Sequence, residues 1–591
     1  MSSAAVNPDD PTSGIARRRF LQGALAIGGW AGVAPGWLDG VAFAGPPLGP
    51  TERIIVSLFL FGGNDGLSTL IPAEDGLYQS IRGPLAVSVG QANSVGDGLY
   101  LHPALSRLKT RFDAGQVALV RGVGEPSKDH SHFSSTASWM SGRPGMASPT
   151  GWLGRWVDDA GLGDLAAVSI GWGEIPLVLK GNTVAATSLP PGGGLFGADR
   201  AEDYERLAFE SFSRLGSSGA GIGPYGSMVS STIGSAVDTA ADISPAYAPT
   251  LPTDGLARDM ALAAGVINLD VGARALNVSL SGFDNHNSMR PDHDDRMAEL
   301  DAGIDSFFAT LAPQYAGRTT LMIYSEFGRR VQPNNSGGTD HGAAGVAMVI
   351  GPRVNGGLYG VQPSLGDLDR RGDLKYSVDF RQLHATIIED WLGADSNANL
   401  GSTFPRLDLF ASPGPGGFFD VQANTYFGPA VSWLSSTGIT TGTGVGEFSP
   451  EAPVSRAQMA TFLWRYRGQP TGAPQSSFVD VARGSYYAPA VDWLSQQGIT
   501  TGTGFGRFSP DDPVDRAQMA TFLWRLEGSP TSSPPSGFVD VPAGKFYSHA
   551  IDWLLHRGIT TGVGDNRFAP DQVVTRAQMA TFLWRLAGSP T

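Results

Sequence analysis

The 591-residue chain contains no cysteine. Disulfides and thiolate metal sites are therefore excluded, and any ion must be held by His, Asp, Glu and other oxygen donors. Positive charge is also scarce: 41 Lys and Arg stand against 55 Asp and Glu, a net charge of -14. A nucleic-acid partner needs a basic footprint, so that class is excluded too. Beyond the first segment, no run is long and apolar enough to cross a bilayer, and no transmembrane segment is expected. What the chain has in quantity is glycine, 80 residues, and proline, 41, which imply many turns, while 41% hydrophobic residues suffice for packed cores. At this length the expectation is one large domain with smaller units attached.

The first segment reads as an address. Arg17, Arg18, Arg19, Phe20 and Leu21 precede an apolar stretch from Ala24 to Val33, and Ala42, Phe43 and Ala44 offer a small-x-small cleavage site. This order resembles the twin-arginine export pattern, which implies that residues 1–44 are a signal removed after Ala44. It also implies that the protein crosses the membrane already folded, a route that suits a domain loading its metal in the cytoplasm.

The last third repeats itself. Phe418, Phe478 and Phe538 begin equivalent phrases 60 residues apart, as do Trp433, Trp493 and Trp553, and RAQMATFLWR starts at Arg456, Arg516 and Arg576. Ala430, Val431, Trp433 and Leu434 fit one face of a short helix, and Met459, Phe462 and Leu463 fit a second. Ser455, Asp515 and Thr575 stand where N-caps are needed. Such small helices cannot bury their apolar faces alone, so the units 418–470, 478–530 and 538–591 are expected to pack on one another with pseudo-threefold symmetry.

These units resemble S-layer homology domains. The resemblance implies a location on the cell wall or cell surface and an anionic cell-wall polymer as partner, with Arg456, Arg516 and Arg576 at the family's ligand-binding position. Gln458, Gln518 and Gln578 replace the family's Glu. Arginine suits planar acidic groups, and three copies add avidity.

Residues 51–395 alternate apolar runs with helical patterns. Ile54–Phe61, Val117–Val123, Ala275–Phe283, Thr319–Phe327 and Ala347–Gly351 read as buried strands, with helical patterns at Asp294–Ala312 and Asp379–Gly393 between and after them. The expected fold is α/β, a doubly wound and mostly parallel sheet, with residues 396–417 as a linker. Ligands bind such sheets at the carboxyl ends of strands. There the sequence places Asp65, His130, His132, Asp284, His286, Glu326, Arg329, Asp340 and His341. Asp284 and His286 share one side of an extended segment. Carboxylates and imidazoles from separate strand ends suit a divalent ion, Zn, Mn or Ca. His102 and His384 are expected to cap or pack, and the Gly- and Ser-rich segment 190–255 to cover the site.

The motifs FGGNDG, LHPAL, SHF, GWLGR, GFDNH, SEFGRR, GTDHG and DLKYSVDF, in that order, resemble the family called domain of unknown function 1501, within the alkaline-phosphatase and sulfatase superfamily. The wider resemblance implies a metal-dependent hydrolase of phosphate or sulfate esters, with Asp65, Asp284, His286, Glu326 and His341 as metal ligands. It implies a hydroxyl nucleophile in the loop after the second strand, where Ser127 and Ser131 stand, and Arg329 as a stabiliser of developing negative charge. Phe327 stands where the superfamily usually has His, which argues against a complete second metal site. The alternative is a non-catalytic envelope protein that binds a glycan or acidic polymer in the same cleft.

Overall fold

A computed structural model of the chain describes residues 52–590 apart from 127–128, 172–174, 185, 194–202, 219–225, 248–249, 254 and 445. The export segment and Ser127 lie outside the described residues. The chain divides after Ala411 into two compact units.

In the first unit nine strands form one sheet. In chain order they are β1 (Ile54–Phe61), β2 (Val117–Gly124), β3 (Ala167–Ile170), β4 (Thr187–Leu189), β5 (Ala275–Ser281), β6 (Thr319–Tyr324), β7 (Gly345–Ile350), β8 (Gly357–Tyr359) and β9 (Val378–Asp379). They lie in the order β8-β2-β7-β6-β1-β5-β3-β4, with β9 against β2. Only β7 runs antiparallel to its neighbours; β1, β5 and β6 pair in parallel. The carboxyl ends of β1, β2, β5 and β6 therefore share one edge. A strand alternates its side chains between faces, and β1 feeds two cores: Ile54, Val56, Leu58 and Leu60 enter one, Ile55 and Phe59 the other. Among the helices that cover the sheet, α2 (Gly255–Asn268) and α3 (Met289–Thr310) lie on the first face and α1 (His132–Ser141) and α4 (Phe380–Thr386) on the second. Within 190–255 the described residues include the helices Asp203–Ser218 and Gly226–Ile243, which pack on each other.

The stretch expected as a linker is folded up to Ala411. Asp395 caps a short helix, Ser396–Leu400, and Leu400, Leu409 and Phe410 are buried in the second core. Their apolar side chains need cover, which a free linker does not give.

Each repeat of the second unit carries two α-helices, α5 (Gly428–Ser436) and α6 (Arg456–Tyr466), α7 (Ala488–Gln496) and α8 (Arg516–Leu526), and α9 (Ser548–His556) and α10 (Arg576–Leu586), and they pack across repeats, α6 on α7, α8 on α9 and α10 on α5. The N-caps of α6, α8 and α10 are Ser455, Asp515 and Thr575. The repeats close into a ring. Val454 donates its N–H to the Val574 carbonyl, Val574 to Val514, and Val514 to Val454, at 2.9 to 3.0 Å. The three valines are fully buried, and the cyclic pattern is the pseudo-threefold axis that the 60-residue period calls for.

Candidate metal centre

The carboxyl ends of the strands carry tight loops because the backbones approach closely there. Gly62, at φ +119°, would place a Cβ 2.5 Å from the Asp284 nitrogen, and Gly63, at φ +71°, would place one 2.4 Å from the Phe327 ring. The phrase GGND thus lets the end of β1 pass under the loops after β5 and β6. Those loops and the start of α1 bring four side chains together: Asp284 and His286 after β5, His132 at the N-terminus of α1, and His341 in a hairpin formed by Arg329–Pro333 and Thr339–His341.

Asp284 Oδ1 lies 3.0 Å from His286 Nε2, 3.2 Å from His341 Nε2 and 3.5 Å from His132 Nε2. The Nε2 atoms of His286 and His341 are 2.9 Å apart. On the far side of each ring Nδ1 faces an acceptor: Glu326 Oε1 at 2.7 Å for His132, Asp340 Oδ1 at 3.2 Å for His286, and the His130 carbonyl at 2.7 Å for His341. The Glu326 contact places the His132 proton on Nδ1, because its Nε2 has no acceptor of its own; His286 and His341 have an acceptor at both nitrogens, with Asp284 on the Nε2 side. His132 Nε2 is buried and has no hydrogen-bond partner. Ligand atoms of His132, Asp284 and His341 all lie within 4.8 Å of one another. Donors around an ion at roughly 2.0–2.2 Å stand about 3.4 Å apart in a tetrahedral set; the triad His132, Asp284 and His341 has ligand-like spacing, and His286 adjoins two of its members, Asp284 and His341, without belonging to it.

Electrostatics keeps the carboxylate charged. Burial works upward on Asp284, but hydrogen bonds from Arg329 and His341 and the charges of Arg329 and His286 hold its pKa down at about 2. Burial, chiefly, also lowers the pKa of His341 and favours its neutral form. The side chain of Asp284 is half exposed and that of His286 39% exposed, so the group opens to solvent.

Of the five residues that the sequence nominates as ligands, Asp284, His286 and His341 meet and two do not join them. Asp65 is buried and caps the turn Gly66–Thr69, and both its oxygens pair with the fully buried Arg82, at 2.5 and 2.9 Å. Its charge is already neutralised. Glu326 is fully buried, accepts from Gly62 N–H and Ser325, and reaches the group only through His132. It orients a ligand instead of being one. His132 takes the vacated place. The sequence places His132 at a strand end, in the SHF phrase after β2, but the family resemblance does not name it among the ligands.

Arg329 is not poised to meet an anion. Its donors serve the carbonyls of Gly63, Gly62, Phe283 and Thr339 and the carboxylate of Asp284, and its side chain is 1% exposed. It ties the loops after β1 and β5 to its own hairpin. Ser131 is the N-cap residue of α1, but its hydroxyl makes no capping hydrogen bond, and among the described residues it bonds to none of the four. Phe327 packs 4.9 Å from the rings of both His132 and His341, so an aromatic wedge fills the place next to Glu326.

A second cluster, His102, His293 and Asp294, also has ligand-like spacing. There the Ala104 N–H donates to His102 Nδ1 at 3.2 Å, which puts the proton on Nε2, and Nε2 donates to Asp294 at 2.8 Å. That ring has no lone pair left for an ion. His384 stacks 4.6 Å from Trp152 with neither nitrogen bonded, so it is packing.

Residues 233–403 match the family described as protein of unknown function DUF1501, and residues 418–460, 477–520 and 537–580 match the S-layer homology domain. The chain joins a DUF1501 region to three S-layer homology domains. The matched DUF1501 span includes Asp284, His286, Glu326 and His341; His132 and Asp65 precede it. An S-layer protein of Bacillus thuringiensis subsp. finitimus is 28% identical over 170 residues, 28% of this chain and 21% of that protein. The S-layer protein sap of Bacillus anthracis is 29% identical over 170 residues, 28% and 20% of the two chains. A cell surface protein of Thermoanaerobacter kivui is 34% identical over 138 residues, 22% of this chain and 18% of that one. The chain thus spans about a fifth of these relatives. Together with the three domains, they assign it to the cell surface. Among solved structures, a protein in the alkaline phosphatase superfamily from Vibrio parahaemolyticus has a TM-score of 0.23 and 10% identity, over 59% of this chain and 71% of that one. Ps i-CgsB has a TM-score of 0.29 and 10% identity, over 60% and 75%. Neither score supports an assignment of activity.

Proposed function

We propose that the chain is exported by the twin-arginine route, is held on an anionic wall polymer by its S-layer homology domains, and uses the DUF1501 unit as a metal-dependent hydrolase of phosphate or sulfate esters. One observation carries the metal reading: the Nε2 atoms of three imidazoles converge on one ionised carboxylate, while the Nδ1 atom of each faces an acceptor on the far side. The Nε2 atoms of His286 and His341 stand 2.9 Å apart beside Asp284 Oδ1, and a cation among them would serve all three donors at once. His132, Asp284, His286 and His341 would hold it. Three imidazoles favour Zn or Mn over Ca, which takes oxygen ligands.

When bound, such an ion supplies a Lewis acid for an ester oxygen and lowers the pKa of water. The chain does the rest. Glu326, Asp340 and the His130 carbonyl hold the imidazole protons away from the centre, while Arg329 keeps Asp284 ionised and fixes the surrounding loops. With no described hydroxyl bonded to the four residues, water and not Ser131 is the attacking group that this geometry favours. The same observation leaves room for the second reading, a cleft that binds a glycan or acidic polymer without turnover. A panel of phosphate and sulfate esters, with metal-loaded and chelated protein, separates the two: metal-dependent turnover supports the hydrolase, and binding without turnover supports the alternative.

Wall anchoring rests on the match of the three repeats to S-layer homology domains; the family's ligand-position arginines, Arg456, Arg516 and Arg576, are buried at the junctions between repeats. Each packs its guanidinium over phenylalanine rings and donates Nε–H to a carbonyl of the next repeat, at 2.6 to 2.7 Å. Sedimentation of the full chain with isolated cell walls tests this, and failure to co-sediment would count against it.

A further inference from the structure

The phrase DLKYSVDF, which begins at Asp373, supplies none of the four side chains that meet at Asp284. Its second half is scaffolding. Ser377 donates its N–H to the Gly122 carbonyl at 2.8 Å, Val378 and Asp379 pair with β2, and Asp379 caps α4. Its first half reaches towards the centre. The carbonyl of the buried Leu374 accepts the N–H of Ala344, just after the hairpin that holds His341, at 3.4 Å. Before it stands Asp373, a carboxylate with no exposed surface.

A turn fixes where Asp373 sits. Its N–H donates to Asp369 Oδ1 and its carbonyl accepts the Asp369 N–H, both at 2.9 Å. A buried carboxylate needs partners, and these come from the two segments that carry ligands. Oδ2 lies 2.8 Å from Nε2 of His130, two positions before His132. Oδ1 lies 3.4 Å from Nε of Arg330, in the first strand of the hairpin that ends at His341. A carboxylate only accepts, so the His130 ring donates from Nε2.

The backbone of His130 is as unusual as its side chain. Its φ is +60°, in the left-handed region, which a residue with a Cβ holds only where its surroundings impose it. The consequence is seen at the carbonyl of His130, which lies 2.7 Å from Nδ1 of His341. A carbonyl can only accept, so this contact requires the His341 proton on Nδ1 and leaves Nε2 as the nitrogen able to bind an ion.

We propose that Asp373 and His130 are positioning residues for His341. Asp373 anchors the His130 ring, the anchored ring holds the left-handed backbone, and that backbone presents its carbonyl to Nδ1, so that Nε2 of His341 faces Asp284. The chain of contacts runs from a buried carboxylate in DLKYSVDF to a metal ligand without either positioning residue touching the ion. This rests on the metal reading above.

The test uses the full chain, with folding checked by thermal unfolding and Zn as the probe. In competition with a chelator, Asp373→Ala is expected to weaken Zn retention by about 10–100-fold. Asp373→Asn keeps an acceptor for the His130 ring and restores most of the loss. His130→Gly suits the left-handed backbone but lacks the anchor, and weakens retention by about tenfold or more. Nitrogen NMR of the metal-free chain, labelled in its nine histidines, reads the ring itself. In folded Asp373→Ala the proton of His341 leaves Nδ1 in part of the population, while that of His132, held by Glu326, stays. Wild-type affinity in folded Asp373→Ala or His130→Gly, an Asn variant that loses as much as the Ala variant, or a His341 signal that does not move would overturn the proposal. A wild-type chain that binds no Zn removes the metal reading, and the His341 signal still decides whether Asp373 and His130 set that ring.

Discussion

Nδ1 of His132 lies 2.7 Å from Oε1 of Glu326, a carboxylate with no exposed side-chain surface. The contact fixes the imidazole proton on the side away from Asp284, so His132 presents a bare Nε2 to the centre. Glu326 thus acts one bond removed from the position the family resemblance gives it. Acceptors placed behind a ligating histidine typically contribute 10–100-fold to metal affinity.

Glu326→Gln is therefore expected to leave the fold intact and weaken metal retention by about 10–100-fold. Competition with a chelator of known affinity measures it. Wild-type affinity in the variant would remove Glu326 from the account.

Asp65 and Arg82 behave as a structural pair. Arg82→Met leaves a buried carboxylate without its cation and is expected to cost about 3–5 kcal/mol of stability, read by urea unfolding. Metal content of the folded fraction should be unchanged. Loss of the ion from folded Arg82→Met protein would instead make Asp65 part of the centre.

Burial drives the pKa of His384 down to about 3, with Arg155 and Arg381 adding to the shift, and that of His293 down to about 4. Each binds its proton more weakly in the folded chain than in the unfolded one, where the ordinary value is 6.5. Stability from this source is complete above pH about 6.5. It falls as pH drops towards the folded values, by up to about 1.4 kcal/mol per pH unit for each group. His384→Phe keeps a ring against Trp152 and removes one of the two terms. Unfolding curves between pH 7 and pH 5 should show a shallower loss in the variant, and an identical slope would contradict the assignment.

Export is tested apart from the fold. Replacing Arg17 and Arg18 together by Lys is expected to leave folded protein in the cytoplasm, detected by cell fractionation. Normal secretion would refute the twin-arginine reading.

Much of the architecture is legible in the sequence because its signals are periodic. The alternation in Ile54–Phe61 supplies both faces of the sheet, and RAQMATFLWR repeated at Arg456, Arg516 and Arg576 specifies a ring of equivalent helices. Asp284 and His286 lie together because two residues of extended chain are a local relationship. What escaped reading is non-local. Nothing in the sequence around Asp65 shows that a guanidinium 17 residues later occupies both its oxygens. His132 and Glu326 are 194 positions apart, and their contact depends on the alignment of strand ends. Residues 396–417 read as a linker because the apolar residues of their first part, Leu400, Leu409 and Phe410, are too widely spaced to show a period.

The central claim is that His132, Asp284, His286 and His341 hold one divalent cation. Elemental analysis of the full chain purified folded from the cytoplasm, beside the Asp284→Ala, His341→Ala double variant, tests it most directly. The account predicts about one equivalent of Zn or Mn in the wild type and next to none in the folded variant; a metal-free wild type that gains no thermal stability from added Zn or Mn, or a variant that keeps its ion, would contradict it.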